Sequence, residues 1–111
     1  MQINLNMTNV VYSVNHLPIR LTDERWRHIV ANHNDLASYY FEVLETVANP
    51  EFIFAGDAGE LWAVQHFSHR KMLLVIYREF AAQNDGFIIT AFFTSKIKKL
   101  FQRRILWQRQ P

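Results

Sequence analysis

An α+β domain is the fold class the sequence predicts: N-terminal helices packed on a four-stranded antiparallel sheet, with a basic helix closing the chain. Three observations carry it. Apolar residues recur at helical spacing up to Pro50, and short β-branched and aromatic runs replace them afterwards. The last sixteen residues then join six basic side chains to a second helical pattern.

The elements follow in order. "NVVYSV" alternates weakly and is read as a possible first strand, ended by "NHLP". Thr22 is a good helix N-cap, and Asp23 and Glu24 fall in the first turn, where the helix dipole favours acids. Trp26, Ile29, Val30 and His33 then follow the i, i+3, i+4, i+7 pattern of one buried stripe. "NHND" breaks that helix. Asn34 or Asp35 is expected to cap a second one carrying Leu36, Tyr40, Val43, Leu44 and Val47, which stops before Pro50. "EFIFAG", "ELWAVQHF", "KMLLVIYREF" and "GFIITAFFT" read as strands, separated by the turn formers of "DAGE", "SHR" and "AAQNDG". Short connections between successive strands predict an antiparallel meander. "SKIKKLFQRRILWQ" reads as a basic helix docked by Ile97, Leu100, Phe101, Ile105 or Leu106, and Trp107.

Size and composition bound the rest. A chain of 111 residues predicts a single domain, 1–111, with a core over 19–95 and the basic tail helix over 96–108. It is half hydrophobic and rich in phenylalanine, which excludes a disordered tail protein. With no cysteine there is neither a disulfide framework nor a thiolate zinc site. The longest apolar runs are too short to cross a bilayer, and "MQINLNMTN" lacks the order of a signal peptide. The expectation is therefore a cytoplasmic protein without a membrane partner. The net charge of +2 hides an asymmetry: the segment from Lys96 onward is +6 with no acid, whereas the preceding residues are −4. Such a footprint suits nucleic acid or an acidic protein.

Five histidines are available for chemistry. His28 and His33 are five residues apart on one helix, so they diverge, whereas a metal clamp needs i, i+4 or i, i+3 spacing. His66 and His69 straddle a strand end and have no third ligand in sight. No metal and no cofactor are expected. His33 lies at the last turn of its helix on the stripe facing the sheet, and a lone imidazole there is ordinarily a packing residue. In "FIITAFFTS", strict alternation places Phe87, Ile89, Ala91 and Phe93 on one face, and Ile88, Thr90, Phe92 and Thr94 on the other. The neighbouring run ends in Tyr77, Arg78 and Glu79. A histidine, an arginine and two hydroxyls on adjacent elements form a set able to handle phosphate.

The blocks "LTDERWRHIVANH", "VLETVANPEFIFAG", "LLVIYRE" and "DGFIITAFFT" come in that order over most of residues 19–95. Together the sequence resembles the phage-associated branch of the barnase/EndoU/colicin/RelE-like (BECR) nucleases. The resemblance implies N-terminal helices on a four-stranded antiparallel sheet and a metal-independent, toxin-like ribonuclease. It also implies a site drawing on His28 and His33 of the helix, Arg78 of the sheet, and Thr90 with Thr94 beside it. On this reading a histidine, His33 ahead of His28, takes the proton of a ribose 2′-OH. Arg78 and Thr90 hold the transition state, and a 2′,3′-cyclic phosphate results. The expected partners are RNA, with Lys96, Lys98, Lys99, Arg103 and Arg104 contacting phosphates, and a cognate antitoxin or immunity protein. Two rivals stand beside it: a non-catalytic RNA- or protein-binding module, and a metal-dependent hydrolase using His28, His66 or His69.

Overall fold

The computed structural model of the protein describes residues 8–111. Most of the N-terminal stretch read above as lacking a leader lies outside the described residues.

Thr22 starts the first helix as its residue type dictates. Its hydroxyl accepts a hydrogen bond from the Arg25 backbone N–H at 3.0 Å, and α1 runs over Asp23–Asn32. His33 is its C-cap. The second helix is shorter than its periodicity predicts. Asn34–Leu36 form only a single 3-10 turn, and α2 occupies Tyr40–Ala48. Leu36 still reaches the core from that turn, alongside Val43, Leu44 and Val47. The Trp26 and Tyr40 rings meet edge to face at 5.0 Å and lock the two helices together.

The four-stranded antiparallel sheet is corrected by the structure, which has a seven-stranded mixed sheet. Its strands are β1 (Asn9–Tyr12), β2 (Pro18–Leu21), β3 (Phe52–Ala55), β4 (Leu61–Ser68), β5 (Lys71–Phe80), β6 (Asp85–Thr94) and β7 (Ile105–Gln108), in the spatial order β1-β2-β6-β5-β4-β3-β7. β3 to β6 form an antiparallel meander. The β1–β2 hairpin joins β6 through a parallel pairing of Arg20 with Phe87, and β7 adds to the free edge of β3. β2 is four residues long, too short to carry a period. What places it is tertiary: the Arg20 guanidinium grips Asp85 at 2.9 and 3.0 Å.

The tail helix is likewise corrected. Helix persists for one turn only, α3 over Ile97–Leu100, and the chain then folds back into β7. A continuous helix would stack like charges at i, i+4, Lys99 with Arg103, with no acid in the segment to offset them. Leaving the helix lets Arg103 pair with Asp57 and lets the "ILWQ" backbone complete the β3 ladder. Trp107, opposite Ile53, anchors that strand to the core.

The two sheet faces have separate cores. One packs α1 and α2 on Ile19, Leu21, Ile53, Ala63, Leu73, Val75, Tyr77, Ile88 and Ala91. The other gathers Phe54, Val64, Met72 and Leu74 under Ile97 and Leu100 of the basic segment. β5 lies under both, which is why "MLLV" reads as an unbroken apolar run rather than an alternating one.

The strict alternation expected in β6 fails at one place. Ile76 pairs with Thr90 but Tyr77 pairs with Ile88, so Ile89 is an extra residue in a β-bulge. Ile88 turns to the helix-covered face as a result. Thr90, Phe92 and Thr94 stay on the other face, opposite Ile76, Leu74 and Met72.

The Arg20–Asp85 pair predicts an acid-dependent stability. The hydrogen bond from Arg20, seconded by the Gly86 backbone N–H, holds the Asp85 carboxyl below its ordinary 3.8. A carboxyl depressed by folding stabilises above its unfolded pKa and loses that contribution as pH falls through its folded one. The Tm difference between wild type and Asp85→Asn is therefore expected to shrink as pH is lowered from about 6 to about 3. A difference constant over that range in thermal melts contradicts it.

Candidate functional site

The face turned away from α1 and α2 holds a hollow of about 230 Å³ between the sheet and the basic segment. Trp62, Leu74, Phe92 and Thr94 line it from β4, β5 and β6. Lys96, Lys99, Leu100 and Arg103 line it from the segment that leaves β6. The sequence builds this locally. A helix of one turn brings Lys96, Lys99, Leu100 and Arg103, three to four residues apart, to one side, so Leu100 plugs into the second core while the cations stay at the rim.

The rim is electrostatically graded. Lys96 and Lys99 are exposed, and among the described residues no acid lies within 4 Å of either ammonium. Arg103 is committed differently: its guanidinium lies 3.7 Å from the Trp62 ring centroid and reaches Asp57 at 2.9 and 3.2 Å and the Ala55 carbonyl at 3.1 Å. That hydrogen bond pulls the Asp57 carboxyl below its ordinary range and raises the guanidinium, so the pair is ionised throughout the neutral range. The Thr94 hydroxyl accepts from the Lys96 backbone N–H at 3.1 Å, which leaves its own O–H free to donate.

His33 comes to this same face. Beyond Leu21, β2 no longer flanks β6 and α1 runs beside that strand, which brings the helix end to the rim of the sheet. The imidazole packs on Phe92 with ring centroids 5.4 Å apart and planes 30° from parallel. The backbone at His33 is fixed on both sides: its N–H donates to Ile29 at 2.8 Å and its carbonyl accepts from Leu36 at 3.0 Å. Its ring nitrogens make no hydrogen bond among the described residues, and the side chain is half-buried.

The other residues singled out by sequence divide plainly. Thr94 lines the hollow, and Thr90 stands four residues back along the same face without lining it. Arg78 shares that face but sits four residues along β5 from Leu74, about 13 Å away, and donates to the Ala58 carbonyl at 2.9 Å. His28 points elsewhere, to a separate hollow of about 300 Å³ with Thr22, Glu24 and Arg25. It is 4.0 Å from the Glu24 carboxylate and 64 % exposed. Lys98 and Arg104 are exposed and outside the hollow. Among the described residues no three potential metal ligands gather together.

Sequence reasoning passed over Trp62, Leu74, Phe92 and Leu100 as parts of a site. Phe92 was legible, since it falls between Thr90 and Thr94 on one face. Trp62 was not, because only the return of the chain through Arg103 brings the basic segment over it.

No family model, no curated protein and no solved structure matches this chain. No helix among the described residues is long and apolar enough to cross a membrane.

Proposed function

We propose that the protein binds RNA in the hollow on the helix-free face and cleaves it there without a metal, by attack of a ribose 2′-OH on the adjacent phosphate. The observation that carries this reading is a hydroxyl and three cations lining a single open cavity, with the His33 imidazole packed against Phe92 of its wall. The same chemistry is what the sequence resemblance over most of residues 19–95 to the BECR nucleases implies, although the sheet it implied is not the one observed. His33 accepts the 2′-OH proton. The O2′–P bond forms, and Lys96 and Lys99 offset the extra negative charge of the pentavalent phosphorus while the Thr94 hydroxyl donates to a phosphoryl oxygen. The P–O5′ bond breaks, and the departing oxygen takes a proton from solvent, which the open cavity admits. The products are a 2′,3′-cyclic phosphate and a 5′-hydroxyl end.

Incubating the protein with single-stranded RNA in excess EDTA tests this directly. Accumulation of cyclic-phosphate ends supports it, and intact RNA after prolonged incubation overturns the cleavage step.

A second reading is favoured by one observation: among the described residues no imidazole lines the hollow, His33 reaching only the Phe92 ring, and Arg78 is docked on the Ala58 carbonyl. On that reading the basic segment holds RNA without cutting it. Both readings predict that neutralising Lys96 and Lys99 to glutamine weakens binding to every RNA sequence. The slope of log K against log salt then falls by about one to two. An unchanged slope in filter-binding or anisotropy titrations removes both lysines from the interface.

A further inference from the structure

We infer that the hollow is a nucleobase pocket, in which one base of a single-stranded RNA inserts against Phe92 while the flanking phosphates rest on Lys96 and Lys99. The inference rests on the RNA reading above and names the form of the substrate. Its basis is the mismatch between floor and rim. Leu74 and Leu100 are almost wholly buried, Phe92 and Trp62 are half-buried, and together they make the floor apolar. A phosphate alone keeps its hydration and gains nothing from such a floor. A purely apolar guest leaves two unpaired lysines unused. A nucleotide joins both requirements, carrying a flat ring with an apolar face one sugar away from an anion.

The two aromatic side chains differ in what they still offer. Arg103 already lies over Trp62, 3.7 Å from the ring centroid, and is fixed there by Asp57 and the Ala55 carbonyl. Phe92 carries His33 against one side of its ring, and among the described residues no cation lies over it, so the part of the ring that lines the hollow is the platform for a base. Stacking on an aromatic ring tolerates any base, which predicts weak sequence preference. Insertion also sets strandedness, because a duplex must unstack and unpair a nucleotide before its base can enter. Charge alone argues the reverse, since a duplex presents more phosphates to the same lysines. Preference for single strands is thus a signature of the pocket rather than of the basic segment.

The experiment uses the full chain and 2′-O-methyl octamers, which bind but cannot be cut. Three fluorescent probes are titrated at one salt concentration: a single-stranded octamer, the same octamer in duplex form, and an abasic octamer with equal phosphates. The expected result is about tenfold tighter binding of the single strand than of either other probe. Phe92→Leu keeps apolar volume but removes the aromatic plane. It is expected to bring the single-stranded and abasic affinities to within about twofold of each other while the salt slope holds. Near-UV circular dichroism establishes that this variant is folded. Equal affinity for the base-bearing and abasic octamers in wild type overturns the pocket but leaves RNA binding standing. Failure of every probe to bind overturns the RNA reading itself.

Discussion

Replacing His33 with alanine is expected to lower the rate of RNA cleavage by about 10²–10⁴-fold, the usual contribution of a positioned proton-transfer group. The size of the effect follows from His33 packing on Phe92 of the hollow's wall, with no second imidazole beside it among the described residues. His28, its partner by sequence, is turned toward Glu24 on the opposite side of α1. His28→Ala is therefore expected to cleave at the wild-type rate. Quantifying cyclic-phosphate ends in EDTA for the two variants checks both statements together. If His28→Ala is the dead variant and His33→Ala the live one, the site has been placed on the wrong face. Loss of structure is not expected to confuse the comparison, because His33 caps α1 through its backbone rather than through its ring.

The largest expected effect on stability comes from Gly86→Ala. A Cβ at that position lies 2.5 Å from the Arg78 carbonyl oxygen and 2.5 Å from Ile19 Cδ1. Gly86 is the second residue of β6, one before the Phe87 that pairs in parallel with β2, so the missing side chain is what lets the hairpin approach the meander. The Ile19 contact yields to a side-chain rotation, but the carbonyl belongs to the β5 ladder and cannot move alone. The expected cost is about 2–3 kcal/mol, in the range of overpacked cores. That corresponds to a fall in Tm of about 10 °C or more. Adding Ile19→Val removes only one of the two clashes and is expected to recover only part of the loss. Full recovery in the double variant, measured by calorimetry, contradicts the backbone contact as the main cause.

What could be read from the sequence divides along a physical line. β3 to β6 were legible because each run is eight to ten residues long or bounded by strong turn formers, as at "AAQNDG". α1 was legible from Thr22, whose side chain does locally what its chemistry suggests. The two outer additions were not. β2 and β7 are four-residue strands positioned by distant partners, Arg20 by Asp85 and Trp107 by Ile53, and nothing in their own sequence decides between strand and helix. "SKIKKLFQRRILWQ" satisfies a helical period, yet unopposed like charges and a free β3 edge outweigh it. The bulge at Ile89 was invisible for a similar reason: a β-branched residue fits regular and bulged strands alike.

The candidate site shows the same division. Thr94 and His33 were found as residue types with phosphate chemistry, and the fold places both against Phe92 or its hollow. Arg78 was chosen because it is a cation on a neighbouring strand. Its position along β5, set by a register that sequence does not reveal, carries it to the β3–β4 turn instead. The cations at the hollow are the lysines and arginine of the basic segment, read first as a helix face and found as a strap across the sheet.

The proposed place for RNA is the hollow edged by residues 96–103, with the His33 imidazole at its border. Its most direct measurement is a two-dimensional NMR titration of the full chain with the non-cleavable octamer, following backbone amides and aromatic side chains. The largest shifts are expected at His33, Phe92, Thr94, Lys96 and Lys99, and only small ones at His28 and along α2. Shifts gathered instead around Thr22, Glu24 and His28, or on the α2 surface, contradict it.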